Sequence, residues 1–401
     1  MTFDLNPTET LAVALGVLYL GSFVIARVAF LRDNNIPVPV VGGILFALAT
    51  TLFYVRWDVG ASFDMALKEP LMLAFFASIG LGADLRLLSR GGPQLLVFAG
   101  VCVLYLIVQD TLGVVAALGL DLHPLIGLLS ASITLSGGHG TGAAYAQQFG
   151  DVHNLAGAME LALACATFGL VIGGLLGGPI AGRLIRRHRL QPQPEEPSHE
   201  DEQPAEVGDT PISSDSLLLT LFQLTLCLIG GSLLADASSG ASFTLPSFVW
   251  CLFIGVVIRN VTPLTPRISV HRPTVDAVGM LALSLFLAMA LMSLRLWELV
   301  GLAGPLLVIL LAQTFGMAAF ATLVTFRVMG RRYDAAIIAG GHCGFGMGAT
   351  PTAVANMEAL TRRYGPSPQA FLVVPLTGAF FIDFLNAIVI QGFLALPLPG
   401  F

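Results

Sequence analysis

The chain alternates long apolar runs with short polar breaks. Runs of about 20 residues suit membrane-spanning helices and not the alternating ten-residue strands of a membrane barrel. They predict spans near 10–29, 38–56, 70–88, 94–119 and 155–182 in a first half, and near 217–235, 245–260, 277–294, 302–326 and 369–396 in a second. Two stretches depart from this pattern. The apolar piece 124–136 leads into Ser136-Gly137-Gly138-His139-Gly140-Thr141-Gly142-Ala143-Ala144. The stretch 333–360 carries Gly340-Gly341-His342-Cys343-Gly344-Phe345-Gly346-Met347-Gly348-Ala349-Thr350-Pro351-Thr352. Glycine runs interrupt helices, and hydrocarbon tolerates interrupted backbone only where protein or a polar cavity satisfies it. Two such breaks at matching places in two halves point to a solute site of the kind secondary transporters build from discontinuous helices.

The halves correspond elsewhere too. Leu73-Ala74-Phe75-Phe76-Ala77-Ser78-Ile79-Gly80-Leu81 is similar to Leu283-Ser284-Leu285-Phe286-Leu287-Ala288-Met289-Ala290-Leu291, and Ile36-Pro37 and Leu245-Pro246 each open a span. The expected architecture is an all-α polytopic membrane protein with two inverted-topology repeats, 1–185 and 217–401. Each repeat has about five transmembrane helices, an odd number that inverts the second copy. Each also has one re-entrant glycine-rich hairpin, at 124–152 and 333–363. The tract 186–216 is rich in Pro, Glu and Asp (Pro192, Pro194, Glu195, Glu196, Pro197, Glu200, Asp201, Glu202). It is too polar to pack and is expected to be a disordered linker.

Charge tests this topology. With both termini outside and the linker inside, the inner loops hold Arg27, Arg32, Arg86, Arg90, Arg183, Arg186, Arg187, Arg189, Arg259, Arg267, Arg272, Arg327, Arg331, Arg332, Arg362 and Arg363, and the outer loops only Arg56, Lys68 and Arg295. Sixteen against three is a strong positive-inside bias, and one miscounted span would scatter it. The first hairpin then enters from outside and the second from inside.

Composition agrees. The chain is 55% hydrophobic and 11% charged, against about a quarter charged in ordinary soluble domains. The net charge of −6 says little about partners, because the acids are concentrated in the linker, and no basic surface suits nucleic acid. The first ten residues carry Asp4 and Glu9 and no basic residue, the opposite of a signal peptide's n-region. Cys102, Cys165, Cys227, Cys251 and Cys343 lie unpaired in apolar segments and read as packing residues. Lys68 is the only lysine and lies in no P-loop, which excludes an ATP-driven pump of that class.

At the glycine phrases the chain resembles the bacterial sodium/glutamate symporter family. The resemblance is carried by Pro70-Leu71-Met72-Leu73-Ala74-Phe75-Phe76-Ala77, Ile133-Thr134-Leu135 running into the first phrase, and Ala164-Cys165-Ala166-Thr167-Phe168-Gly169-Leu170-Val171. The second half adds Ser284–Leu291, Gly341–Gly346, Gly348–Ala353 and Gly378-Ala379-Phe380-Phe381-Ile382-Asp383. It covers nearly the whole chain except the linker. It implies sodium-coupled uptake of L-glutamate at a bacterial cytoplasmic membrane, a homodimer, no cofactor beyond the coupling ion Na+, no enzymatic activity, and an elevator motion of a transport domain against a scaffold.

Glutamate brings two carboxylates and an ammonium group into the membrane, where unpaired charge is costly. Every arginine maps near a span end, so helix N-termini, with free N–H groups and about half a positive charge, are the expected source of positive potential. Thr350 before Pro351 reads as an N-cap with proline in the first turn, and Thr141-Gly142 would open a short helix before Ala143-Ala144. The substrate site is expected at Ser136, Gly137, Gly138, Thr141 and Gly142 facing Gly346, Gly348, Thr350 and Thr352; the alternative is that these residues only cap hairpins. Asp383 and Asn386, three apart on one helix face, and Glu160, two turns before Thr167, are the sodium-ligand candidates, or else structural struts for broken backbone. His139 and His342 occupy equivalent places and are expected to orient the hairpins, since zinc needs more ligands than they and Cys343 supply. A proton-coupled role for them is the minor alternative. Asp110, beside Gln109, suits an interhelical hydrogen bond at a scaffold contact or a part in transport. Gly42-Gly43, Gly173-Gly174 and Gly177-Gly178 suit close or sliding helix packing. The rivals are a sodium- or proton-coupled symporter of a di- or tricarboxylate, an ion channel with a carbonyl filter, and an intramembrane enzyme on His342 and Cys343, which lacks an orienting third residue.

Overall fold

A capping box starts the first helix: Asn6 accepts from the Glu9 N–H, Glu9 returns the bond, and Pro7 occupies the first turn. The computed structural model describes residues 2–33, 36–57, 60–85, 92–192, 211–238, 245–261, 269–292 and 303–396. Arg86, Arg90, Arg267, Arg295 and most of the 186–216 linker lie outside the described residues. The first half contains α1 (Pro7–Arg27), the short α2 (Ala29–Asp33), α3 (Val38–Trp57), α4 (Lys68–Gly82) and α5 (Gly92–Gly119). Three pieces follow, α6 (Pro124–Leu129), α7 (Ser132–Leu135) and α8 (Gly138–His153), and then α9 (Ala158–His188). The second half contains α10 (Ser214–Ser238), α11 (Ser247–Val261), α12 (Arg272–Met292) and α13 (Ala303–Val328), whose residues Ala321–Thr325 are a π-turn. The paired helices α14 (Tyr333–Met347) and α15 (Thr350–Tyr364) precede α16 (Pro368–Phe380) and α17 (Ile382–Leu394). The one non-helical pairing among the described residues is short and parallel, β1 (Thr2–Leu5) on β2 (Gly60–Phe63).

Among the described residues, six helices are long and apolar enough to cross a membrane, or seven if the pair α16–α17 is one broken span. The chain is therefore a multi-pass, all-α membrane protein. Large apolar side chains such as Phe23, Leu52, Leu218 and Phe315 are exposed on its outer faces, as a surface in contact with hydrocarbon requires.

Three expected elements differ. The span 70–88 ends at Gly82, because Ala83 is extended, the Gly82 carbonyl accepts from Arg272, and Asp84 pairs with Arg259 at 3.1 Å. At 15 residues, α4 rises about 22 Å. The hairpin at 124–152 is three helices instead of two, broken at Ala131 (φ −122°, ψ −131°) and again before Gly138 (φ +69°), a left-handed conformation that favours glycine. The expected single span 369–396 bends by 50° between Gly378 and Ile382.

The helices gather into two bodies. In one, α4 packs on α10, α11 and α12, while α3 packs on α1 and α12. The other collects α5 to α9 and α13 to α17: α5 lies against α6, α13, α16 and α17, and α9 against α7, α8, α14 and α15. The bodies meet where α8 crosses α12 and α17 crosses α11, with Tyr145 edge-on to Phe248 and Phe253 edge-on to Phe384.

Small residues set the helix spacing, as expected where hydrocarbon supplies no hydrophobic drive between helices. A Cβ on Gly80 would run into the Leu252 carbonyl, and one on Gly344 would lie 2.5 Å from Ala353 Cα. Gly340 faces Leu360 and Gly341 faces Met357, so α14 and α15 run antiparallel. Their outer ends meet again where the Tyr333 hydroxyl donates to the Gly365 carbonyl.

Candidate transport site

Interrupted helices converge inside the second body. The Gly348–Ala349 link between α14 and α15 is non-helical, with Gly348 at φ −150°, ψ −97° and Ala349 extended at φ −155°, ψ 162°. It lies against the Ser136–Gly138 break: a Cβ on Gly138 would be 3.8 Å from the Gly348 carbonyl oxygen. The α16–α17 bend joins them, since a Cβ on Gly378 would be 2.6 Å from Thr350 Oγ1. Met347 and its carbonyl close the arrangement against Gly169 and Gly173 of α9.

Gln109 of α5, fully buried, is the hub. Its Nε2 donates to the Gly346 carbonyl at 2.9 Å and to the Tyr105 hydroxyl at 3.2 Å. Its Oε1 accepts from Ser136 Oγ at 2.7 Å, and Ser136 Oγ also reaches Gly346 O at 3.1 Å. Gln313 of α13 donates to the Gln109 carbonyl at 2.8 Å. One amide thus ties the first glycine phrase to the second. In the sequence, Gln109 is signalled only as a polar pair with Asp110 inside an apolar helix. Asn356, which the sequence reading omits, bonds the Gly173 carbonyl at 2.9 Å and holds α15 on α9.

The predicted substrate residues divide. Ser136, Gly137 and Gly138 lie together with Gly346 and Gly348. Thr141 is buried in the first turn of α8, against Gly137. The helix opens at Gly138, three residues before the expected start at Thr141, because Gly137 and Gly138 supply the turn. Gly142 packs against Thr134 and Ala162 instead of the break. Thr350 is not the N-cap. Ala349 is, without a side-chain bond, so Thr350 sits in the helix and its hydroxyl turns to Gly378. Thr352 is buried beside Gly174 with Oγ1 unpartnered.

Each histidine bonds a threonine on a long neighbouring helix. His139 Nε2 lies 3.1 Å from Thr167 Oγ1 of α9, and His342 Nδ1 lies 2.9 Å from Thr325 Oγ1. Thr325 ends the π-turn of α13, an insertion that re-aims side chains and is common at functional sites. Phe98, Tyr105, Phe320 and Phe345 surround the His342 ring.

The sodium candidates lie on two helices. Asp383 is half-buried in the first turn of α17, and Asn386 is buried one turn on, with Nδ2 donating to the Ser132 carbonyl at 3.0 Å. Glu160 is buried in the first turn of α9, after the left-handed Gly157. Asp110 is buried within the second body, and its Oδ1 accepts from the Ser132 N–H at 3.0 Å.

The family described as sodium/glutamate symporter matches residues 3–366. A Haemophilus influenzae protein named sodium/glutamate symporter is 46% identical over 394 residues, covering 98% of each chain. An Escherichia coli protein of the same name is 48% identical over 401 residues, covering 99% of each. A match of that length and identity settles membership: the chain belongs to the sodium/glutamate symporter family.

Proposed function

We propose that this protein takes up L-glutamate with sodium, binding the amino acid where the two glycine phrases meet. The single observation that carries the reading is the Ser136–Gln109–Gly346 junction, which brings equivalent breaks from two halves of the chain into one buried place. Ser136, Gly137, Gly138 and Thr141 form one wall, and Gly346, Gly348, Thr350 and Thr352 the other, with Gly142 behind the first. The opening turns of α8 and α15 supply unbonded N–H groups for the carboxylates. Asp383 and Asn386 in the first turns of α17, with Glu160 at the start of α9, carry the sodium part. His139 and His342 orient the breaks through Thr167 and Thr325.

Two inverted repeats, 1–185 and 217–401 joined by the 186–216 linker, account for the packing. The second span of each half packs on the third span of the other: α3 on α12, α11 on α4. The last span of each packs on the interrupted helices of the other: α9 on α14, α17 on α7. An antiparallel α14–α15 pair whose outer ends meet suits a re-entrant hairpin. The division into two bodies suits an elevator, with the glycine phrases in the moving body and α1, α3, α4 and α10 to α12 as scaffold of a homodimer. The arginine bias favours outside termini in a bacterial inner membrane.

The test is radiolabelled L-glutamate uptake into proteoliposomes, with an inward sodium gradient against a choline control of equal ionic strength. Concentrative, sodium-dependent uptake is expected. Its absence in folded, inserted protein, with accumulation of a di- or tricarboxylate instead, would overturn the substrate assignment.

A further inference from the structure

Three buried oxygens in the second body have no hydrogen-bond donor: Asp110 Oδ2, Ser132 Oγ and Asn386 Oδ1. All three side chains are fully buried, at 0% exposure. Ser132 gathers them. Its N–H bonds the other carboxylate oxygen of Asp110, and its carbonyl accepts the Asn386 amide, both at 3.0 Å. Each of these bonds uses the group that would otherwise satisfy its partner. Asn386 has turned its NH2 to the Ser132 carbonyl and keeps a bare carbonyl oxygen. Asp110 has one oxygen bonded and one bare. The Ser132 hydroxyl lies beside the carboxylate.

Oxygens left this way are costly inside a protein, most of all when one belongs to a carboxylate. A lysine or arginine would resolve the cost, but the described arginines of this body lie toward helix ends, as Arg183, Arg327 and Arg362 do. A small hard cation resolves it directly: it takes carboxylate, amide and hydroxyl oxygens together and needs no donors. The backbone breaks at Ala131, between α6 and α7 and next to Ser132, and unwound helix segments are where transporters hold alkali ions.

We propose that Asp110, Ser132 and Asn386 form a sodium site linking α5, α7 and α17. The site rests on the sodium-coupled reading and moves Asn386 from a pairing with Asp383 to a pairing with Asp110. Because the site ties the α17 arm to the interrupted α6–α7 segment, an ion bound there holds the glycine phrases in register before glutamate arrives.

Sodium binding can be read without substrate, from the thermal unfolding of detergent-purified protein as choline chloride is replaced by sodium chloride at constant ionic strength. The wild type is expected to gain stability saturably. Ser132→Ala, a minimal change in volume, is expected to raise the sodium concentration at half-effect about tenfold or more, the effect of losing one ligand to a charge. Asp110→Asn is expected to abolish the response. In uptake, Ser132→Ala is expected to raise the half-saturating sodium by the same factor, with the glutamate KM at saturating sodium unchanged. Unaltered sodium titrations in both folded variants would overturn the site. So would a changed pH profile of uptake with an unchanged sodium response, which would make Asp110 a proton carrier. A wild type whose glutamate uptake ignores sodium would strike the symport reading itself and take this site with it.

Discussion

Replacing Gln109 by leucine removes the tie between the glycine phrases while keeping volume and helix propensity. The side chain makes two bonds of normal length across the junction, 2.9 Å to Gly346 O and 2.7 Å from Ser136 Oγ. Ser136 keeps its own 3.1 Å bond to Gly346 O, so the junction is loosened and not emptied. At about 0.5–1.5 kcal/mol net for each neutral bond, the loss is about 1–3 kcal/mol. If the junction is the binding wall, that loss appears as a rise of about 5- to 150-fold in the glutamate KM. A double-mutant cycle isolates the bond of interest. Gln109→Leu and Ser136→Ala, singly and together, should be coupled by the energy of the Gln109–Ser136 bond, about 0.5–1.5 kcal/mol, or about 2- to 13-fold in KM. Proteoliposome uptake at saturating sodium gives the four values. Additivity within twofold, with the glutamate KM of Gln109→Leu near that of the wild type, would refute the claim that this amide joins the phrases at the site.

Thr325→Val should leave both ring nitrogens of buried His342 without a partner, since Nε2 already has none. A loss of about 1–3 kcal/mol in detergent unfolding is expected, restored by Thr325→Ser. Gly344→Ala should sharply reduce folded protein, because its Cβ would lie 2.5 Å from Ala353 Cα, backbone that cannot turn aside; overpacking costs about 1–3 kcal/mol or more. Gly178→Ala, with nothing within 4 Å of its Cβ, should be neutral or slightly stabilising, and the two yields compared side by side check the contacts. Linking Phe253→Cys on α11 to Phe384→Cys on α17, whose parent ring centroids lie 5.0 Å apart, with a bifunctional thiol reagent that carries a cleavable disulfide should stop uptake until a reductant cleaves the link. The five native cysteines are buried and should not compete. Full uptake by completely bridged protein would refute sliding of the two bodies.

The long helices at 7–27, 92–119, 158–188, 214–238, 272–292 and 303–328 are legible in the sequence because hydrocarbon imposes one simple rule: about 20 apolar residues in a row. Where the structure departs from that reading, tertiary bonds decide. Nothing in Phe380-Phe381-Ile382 marks a break, yet α16 bends away there, and α17 is held by Asn386 on the Ser132 backbone. Helix starts slipped for a similar reason. Thr350-Pro351 carries the signature of a cap, but the extended Ala349 takes that place and frees the Thr350 hydroxyl to meet Gly378. The glycine phrases announce the junction because broken backbone in a membrane demands a reason. The residues that join them announced little, since a glutamine, a serine and an asparagine in separate spans share no spacing. Their meeting is a consequence of the packing exchange between halves, in which the last span of each half lies on the interrupted helices of the other. That exchange also explains why a junction assembled from both halves is buried in one body. Ser132, just ahead of the first glycine phrase, becomes the point where a carboxylate from the first half and an amide from the second are held on the backbone of one residue. Sequence displays charge and period, whereas a site of this kind is defined by which acceptors are left bare after the backbone has taken its partners.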